Sequence, residues 1–306
     1  MSSQVILEGS DSDDGRYGNY TTINAPVENN IKFKNYSGTF EYEFDRATFT
    51  SVTSFVKYEQ ASISDQTAGF AGVIDEFVLG NPVGTTTSVI LNKKPESKKL
   101  VHEMRLTSEE SDTFEWIVGA YFTKEDTFDD QGVEIVPVAV VGVAELVSKY
   151  KEYAVFGNAT YYITSNFDVT YGLRLSNNSL DLTIDQAGAL LGKPPEIEKT
   201  VLPHASQTVD THMLAFRYRP SDDMSVYVKA ASGFRPSSGN FPLADIVSGD
   251  PIAPVVLAAD TLWSYDLGVK GNLADGMFTY DVAVWQSDWK NFQSSIFNGV
   301  ATSSRN

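Results

Sequence analysis

The chain has 306 residues, 42% hydrophobic and 12% aromatic, with 23 Lys and Arg against 40 Asp and Glu for a net charge of −17. That much apolar material excludes a disordered or collagen-like chain, and the acidic balance argues against nucleic acid as a partner, because phosphate binding needs clustered basic side chains. The absence of cysteine removes thiolate nucleophiles, disulfides, Fe–S clusters and Cys-based zinc sites.

Residues 1–35 read as an N-terminal loop or partial strand, and the first 18 lack the basic and apolar regions of a signal peptide, so the true start can lie upstream. From residue 36 onward the dominant pattern is period-two alternation, the mark of strands with one apolar and one polar face. Phe40, Tyr42 and Phe44 oppose Glu41 and Glu43, and Ala47 to Tyr58 follows as a strand of ambiguous facing. Leu100 to Thr107 alternates next, then Phe114, Trp116, Val118, Ala120 and Phe122 against Glu115, Ile117, Gly119 and Tyr121. Tyr153 to Thr164 continues the series with Phe156 and Tyr162 as the large residues on its second face. Phe167, Val169, Tyr171, Leu173 and Leu175 then oppose Asp168, Thr170, Gly172, Arg174 and Ser176. Four further strands alternate around Leu214 to Arg219, Val226 to Ala230, Trp263 to Lys270 and Phe278 to Trp285.

The connections fall into two alternating classes. Short turns at Asp45-Arg46, Glu109 to Asp112, Ser165-Asn166, Pro220 to Asp223 and Ala274 to Gly276 alternate with long links at about 61–98, 128–148, 177–207 and 235–260. The longest apolar run, Val133 to Ala144, is broken by Glu134 and Pro137 and is far short of the roughly 20 residues of a membrane-spanning helix. Strands of about 9–11 residues with turns short on one side and long on the other are expected of an antiparallel up-and-down transmembrane β-barrel. The chain is therefore expected to be all-β, with about ten to twelve strands of such a barrel over residues 36–306. A soluble carbohydrate-binding or adhesin-like β-sandwich is the alternative, but sandwich strands average about 5–6 residues. In a barrel, Glu103, Arg105, Glu115, Arg174, Arg217, Lys229, Asp266, Lys270 and Asp281 face the lumen, and the aromatic residues of the other parity meet outer-membrane lipid.

Other chemistry is weakly supported. The acidic runs Asp11, Asp13, Asp14 and Glu125, Asp126, Asp129, Asp130 lack EF-hand spacing and read as solvated loop tips. Glu109-Glu110 has no positioned partner, and no Gly-x-Ser-x-Gly elbow is present. His102 and His212 fall near strand ends on the apolar parity and His204 in a long link, more consistent with interfacial or solvated imidazoles than with metal ligands. Nothing calls for a cofactor or a catalytic site.

Several segments carry a resemblance. His102-Glu-Met-Arg-Leu-Thr-Ser108 followed by Phe114, Trp116 and Gly119-Ala-Tyr-Phe122 is similar to paired barrel strands of TonB-dependent receptors. So are Tyr153 to Tyr161 with Thr170-Tyr-Gly-Leu-Arg-Leu175, Ser232-Gly-Phe-Arg-Pro-Ser-Ser-Gly-Asn240, and Ser264-Tyr-Asp-Leu-Gly-Val-Lys-Gly271, where the family often has Glu in place of Asp266. The resemblance covers about residues 36–293 and implies a middle slice of a 22-stranded bacterial outer-membrane barrel, without the N-terminal plug and the segment that meets the TonB-type energy-coupling protein. It implies active uptake of a small molecule such as a ferric siderophore, haem, cobalamin or an oligosaccharide, with a passive porin as the alternative of like architecture. Arg235, Asn240, Phe241 and Asp245, in the fourth long link, are the candidates for the ligand vestibule.

Overall fold

The computed structural model describes residues 2–7, 27–239, 254, 256–273, 276–297 and 302–305. The strands are β1 (Ser2–Leu7), β2 (Val27–Phe44), β3 (Ala47–Asp65), β4 (Val89–Ser108), β5 (Phe114–Ile135), β6 (Ala139–Thr164), β7 (Phe167–Ala187), β8 (Glu198–Val201), β9 (Ala205–Ser221) and β10 (Met224–Arg235). They continue with β11 (Ser238–Gly239), β12 (Val256–Leu257), β13 (Asp260–Leu273), β14 (Phe278–Lys290), β15 (Ser294–Phe297) and β16 (Thr302–Arg305). One 12-stranded sheet runs β1-β2-β3-β4-β5-β6-β7-β9-β10-β13-β14, with β8 added beside β7, and two-stranded pieces join β11 to β12 and β15 to β16. Every pairing is antiparallel, and the long strands follow one another in chain order. This is the up-and-down wall of a partial barrel, not two sheets packed face to face.

The apolar parity forms a continuous band: Tyr36 to Phe44 in β2, Phe114 to Phe122 in β5, Tyr153 to Ile163 in β6, Phe167 to Leu175 in β7 and Phe278 to Val284 in β14, most of its large side chains exposed. The band slides steadily against the hydrogen-bond register. One paired row, Glu43–Thr48–Thr107–Ile117–Asn158–Gly172–Met213–Ala231–Ser264–Ser287, meets the band at its short-turn edge in β2. It crosses the middle of the band in β6 and lies beyond the opposite edge by β14. The drift is about one residue per strand, or about 3.3 Å along the chain for each 4.8 Å step between strands, which corresponds to a tilt of about 35°. At that tilt, the roughly nine residues from Phe114 to Phe122 cover about 24 Å along the membrane normal, close to the ~25 Å apolar belt of outer-membrane barrels.

On the polar parity, aromatics lie over glycines of the neighbouring strand. Phe156 covers Gly119, its direct partner across β5 and β6, so closely that a Cβ at Gly119 would collide with the ring. Tyr227 covers Gly268 in the same way across β10 and β13. Phe156, a large ring on an otherwise polar face, is therefore accounted for: it fills the space a glycine leaves.

At the long-link end the strands run further than alternation suggests. The link expected over 128–148 shrinks to Val136-Pro137-Val138, with a cis Val136–Pro137 bond, because β5 extends to Ile135 and β6 begins at Ala139. The supposed loop-tip acids Glu125, Asp126, Asp129 and Asp130 are strand residues of β5, with Glu125 paired to Lys99 at 3.2 Å and Asp126 to Lys124 at 2.9 Å. Alternation fades there because both faces meet water, while the main-chain ladder continues.

Above this end sits a small dry core. Helix α1 (Thr67–Val73) and a π-helical turn (Ile74–Leu79) bring Ala71 and Ile74 against Val89, Ile135 and Val141, with Phe70, Val78, Val133 and Leu190 around them. Asp75, fully buried, is the fastening of the link: it accepts the backbone N–H groups of Gly84 (2.8 Å), Thr85 (2.9 Å) and Thr86 (3.0 Å) and the Thr86 hydroxyl. The Thr86 hydroxyl, with those amides, holds the Asp75 carboxyl below its ordinary value.

Candidate functional site

The register places Glu103, Arg105, Glu115, Arg174, Arg217, Lys229, Asp266, Lys270 and Asp281 on one face, the polar parity of the wall. They are not isolated charges. Arg174 donates to Glu152 at 2.7 Å and to Ser176 at 3.0 Å and lies 4.8 Å over the Tyr121 ring, while Tyr150 donates to the other oxygen of Glu152 at 2.9 Å. Asp168, almost wholly buried, receives Arg217 and Arg219, each at 3.0 Å. Lys229 meets Asp266 at 2.8 Å, Lys270 meets Asp281 at 3.2 Å, and Arg105 meets Glu103 at 3.4 Å. An open hollow of about 380 Å³ lies against this face, edged by Glu103, Arg105, Phe156, Arg174, Thr211 and Ser232. The exposed pairs among them, Lys270–Asp281 and Arg105–Glu103, each contribute about 0–1 kcal/mol to stability. Together the residues of this face make a wall of fixed charge of both signs.

A second cluster stands at the base of the 236–259 link. Arg235 donates through Nε to Asp260 at 2.9 Å and through Nη2 to Asp260 and to the Gln293 carbonyl oxygen (3.0 Å), with its guanidinium 5.6 Å over Trp289 and 5.5 Å over Phe292. The Gln293 backbone N–H also donates to Asp260 at 3.2 Å, and its side-chain amide ties Pro236 (3.1 Å) to Ala258 (2.8 Å). Burial pushes the Asp260 carboxyl up, but the Arg235 guanidinium, the Trp289 indole and the Gln293 amide together hold it below its ordinary value. Arg235 is thus a cation held in place by Asp260, the Gln293 carbonyl oxygen and two aromatic rings. Asn240, Phe241 and Asp245 lie outside the described residues.

The sequence reading passed over Glu152, Asp260 and Gln293. Glu152 precedes the position where alternation in β6 becomes readable, and only Arg174, 22 residues on, marks its importance. Gln293 finds its partners 33 to 58 residues back, a separation that no local pattern records. The histidines are engaged in local pairs: His102 with the Thr53 hydroxyl (2.8 Å), His204 with Asp181 (2.7 Å), and His212 between the Tyr171 hydroxyl and Asp210, both at 2.8 Å.

Comparison with known proteins agrees with this geometry. The family model for the TonB dependent receptor-like β-barrel matches residues 3–306. The chain belongs to that family. It is similar in structure to the ferric yersiniabactin uptake receptor of Yersinia pestis, at TM-score 0.67 and 18% identity, covering 88% of this chain and 37% of that one. The ferric-catecholate import receptor of E. coli K12 gives 0.66 and 16%, over 95% and 46%. A copper transporter gives 0.62 and 11%, over 93% and 42%. The chain spans less than half the length of these structures, and it is part of the wall of a bacterial outer-membrane barrel.

Proposed function

We propose that the polar face lines the lumen, that the apolar band meets lipid, and that the complete protein is an active importer of a scarce nutrient carried by a small molecule, most simply a ferric siderophore, powered through a TonB-type coupling protein. It performs no covalent chemistry. The observation that carries the reading is the division of parities: paired charges on one side, and on the other an apolar band of bilayer height that keeps its level while the register drifts beneath it. The metal-carrying substrates named for the similar structures, ferric yersiniabactin, ferric catecholate and copper, support a chelated metal as cargo. The Arg235 cluster then holds the base of a vestibule formed by the 236–259 link, with Asn240, Phe241 and Asp245 as its candidate contacts.

The test is growth of a bacterium lacking its own copy of the full-length gene, under iron limitation, on a panel of ferric chelates. Complementation should restore growth on at least one chelate and fail in a strain without the coupling protein. Uptake that continues without coupling would mean a passive pore, and no response to any chelate would remove iron carriers as the substrate class.

A further inference from the structure

On five consecutive strands, the first residue beyond the apolar band at its long-link edge, on the apolar parity, is lysine: Lys34 in β2, Lys57 in β3, Lys98 in β4, Lys124 in β5 and Lys151 in β6. On the five remaining long strands the corresponding places hold Asn177 in β7, Asp210 in β9, Ser232 in β10, Thr261 in β13 and Gln286 in β14. The basic residues therefore form a sector about 20 Å wide, not a ring. Three of them stand directly opposite one another in the register, Lys34 to Lys57 to Lys98, and Lys124 stands opposite Lys151. Like charges in direct cross-strand register are destabilising unless something neutralises them. Neighbouring acids do so only in part: Glu59 pairs with Lys57 at 2.5 Å, Glu96 pairs with Lys98 at 2.8 Å and with Lys57 at 3.8 Å, and Asp126 pairs with Lys124 at 2.9 Å, while Lys34 and Lys151 are exposed and take part in no ion pair among the described residues. In a chain of net charge −17 this concentration of cations is out of keeping with the whole.

We propose that this sector is a docking surface for the phosphate-bearing headgroups of anionic lipid in the leaflet on the long-link side. The inference rests on the lipid-facing assignment made above. Lysine stems lie along the apolar edge and carry their ammonium groups to headgroup level, where each cation near an anionic surface contributes favourably and additively. A phosphate monoester on a lipid anchored in the adjacent apolar band meets both requirements, apolar chains below and negative charge above.

The test uses the full-length protein in zwitterionic detergent, with retained lipids counted by native mass spectrometry after titration with phosphatidic acid, phosphatidylcholine or inorganic phosphate. The wild type should retain phosphatidic acid about tenfold better than phosphatidylcholine. The triple variant Lys34→Gln, Lys57→Gln, Lys98→Gln should lose most of that preference, and Lys229→Gln on the opposite face should keep it. An unchanged preference in the triple variant overturns the proposal, as does inorganic phosphate that displaces the lipid at equal concentration. Because the chain has no cysteine, single cysteines at Val169 and Thr170 report the facing separately through quenching by lipid-borne and aqueous agents. If Val169→Cys proves aqueous, the facing itself fails; if it is lipid-exposed and the preference is still unchanged, only the lysine sector fails.

Discussion

The membrane-spanning half of the wall and the extension above it are built from the same strands but held by different forces. Inside the band, strand β5 offers Phe114, Trp116, Val118, Ala120 and Phe122 to one side and a charged face to the other, and the bilayer enforces the parity. Further along the same strand, Lys124, Asp126, Phe128 and Asp130 occupy the positions that were apolar, and cohesion passes to main-chain pairing, ion pairs and the dry core around Ile74. The difference teaches that a hydrogen-bonded ladder does not need alternation; only the membrane does.

If the two regions are as separate as this, they can be disturbed independently. The largest effect is expected from Ile74→Ala, which opens a cavity in a fully buried site at a cost of about 2–5 kcal/mol. Hydrogen exchange should show lost protection over residues 67–79 and 133–141 with the band unchanged, and loss of protection throughout would show that the cap and the band unfold as one unit. Within the band, Val169→Arg on the lipid side should cost about 2–4 kcal/mol, measured by reversible unfolding of the full-length protein in lipid vesicles. Thr170→Arg, one residue along, should cost clearly less. Equal or reversed effects would mean that the faces have been exchanged.

Gly119→Ala sharpens the comparison on the polar side, since the new methyl group meets the Phe156 ring and the Met104 carbonyl oxygen. Overpacking of this kind costs about 1–3 kcal/mol, and Phe156→Leu in the same molecule should recover part of it. Full additivity of the two changes would count against the ring-over-glycine contact. The smallest effect is one of pH. Because the Asp75 carboxyl is held below its ordinary value of 3.8 when folded, its contribution is present above that pH and is lost as the pH falls through the lower folded value. Acidification below about pH 4 should therefore loosen residues 67–86 before the band responds, and Asp75→Asn should abolish that pH dependence.

Legibility in the sequence follows the same boundary. Alternation alone located the ten long strands of the band, their antiparallel order and the grouping of Glu103, Arg105, Arg174, Arg217, Lys229, Asp266 and Lys270 on one parity, because a one-residue slip would send a charge into lipid. It stopped short at Tyr153, where β6 leaves the membrane, so Glu152 and Tyr150 went unnoticed although they hold Arg174. It also read Val133 to Ala144 as part of a loop, when its apolar side chains fold against helix α1 and the turn that follows it. The Arg235 cluster was legible only as a charge near a link, since Asp260 in β13, Trp289 in β14 and Gln293 just after β14 lie 25 to 58 residues further along the chain.

The drift of one residue per strand also decides which parts of the protein share a vertical column. A strand leaning at about 35° carries a point 22 residues along it sideways by roughly 40 Å, about seven strand widths around the circumference. The hairpin tip at Val136–Val138 therefore overhangs not the lumen sector where β5 begins at Phe114 but one several strands away. Substitutions at the long-link end and on the polar face beneath it should accordingly show their epistasis between strands well separated in the sheet, and not between the two ends of one strand.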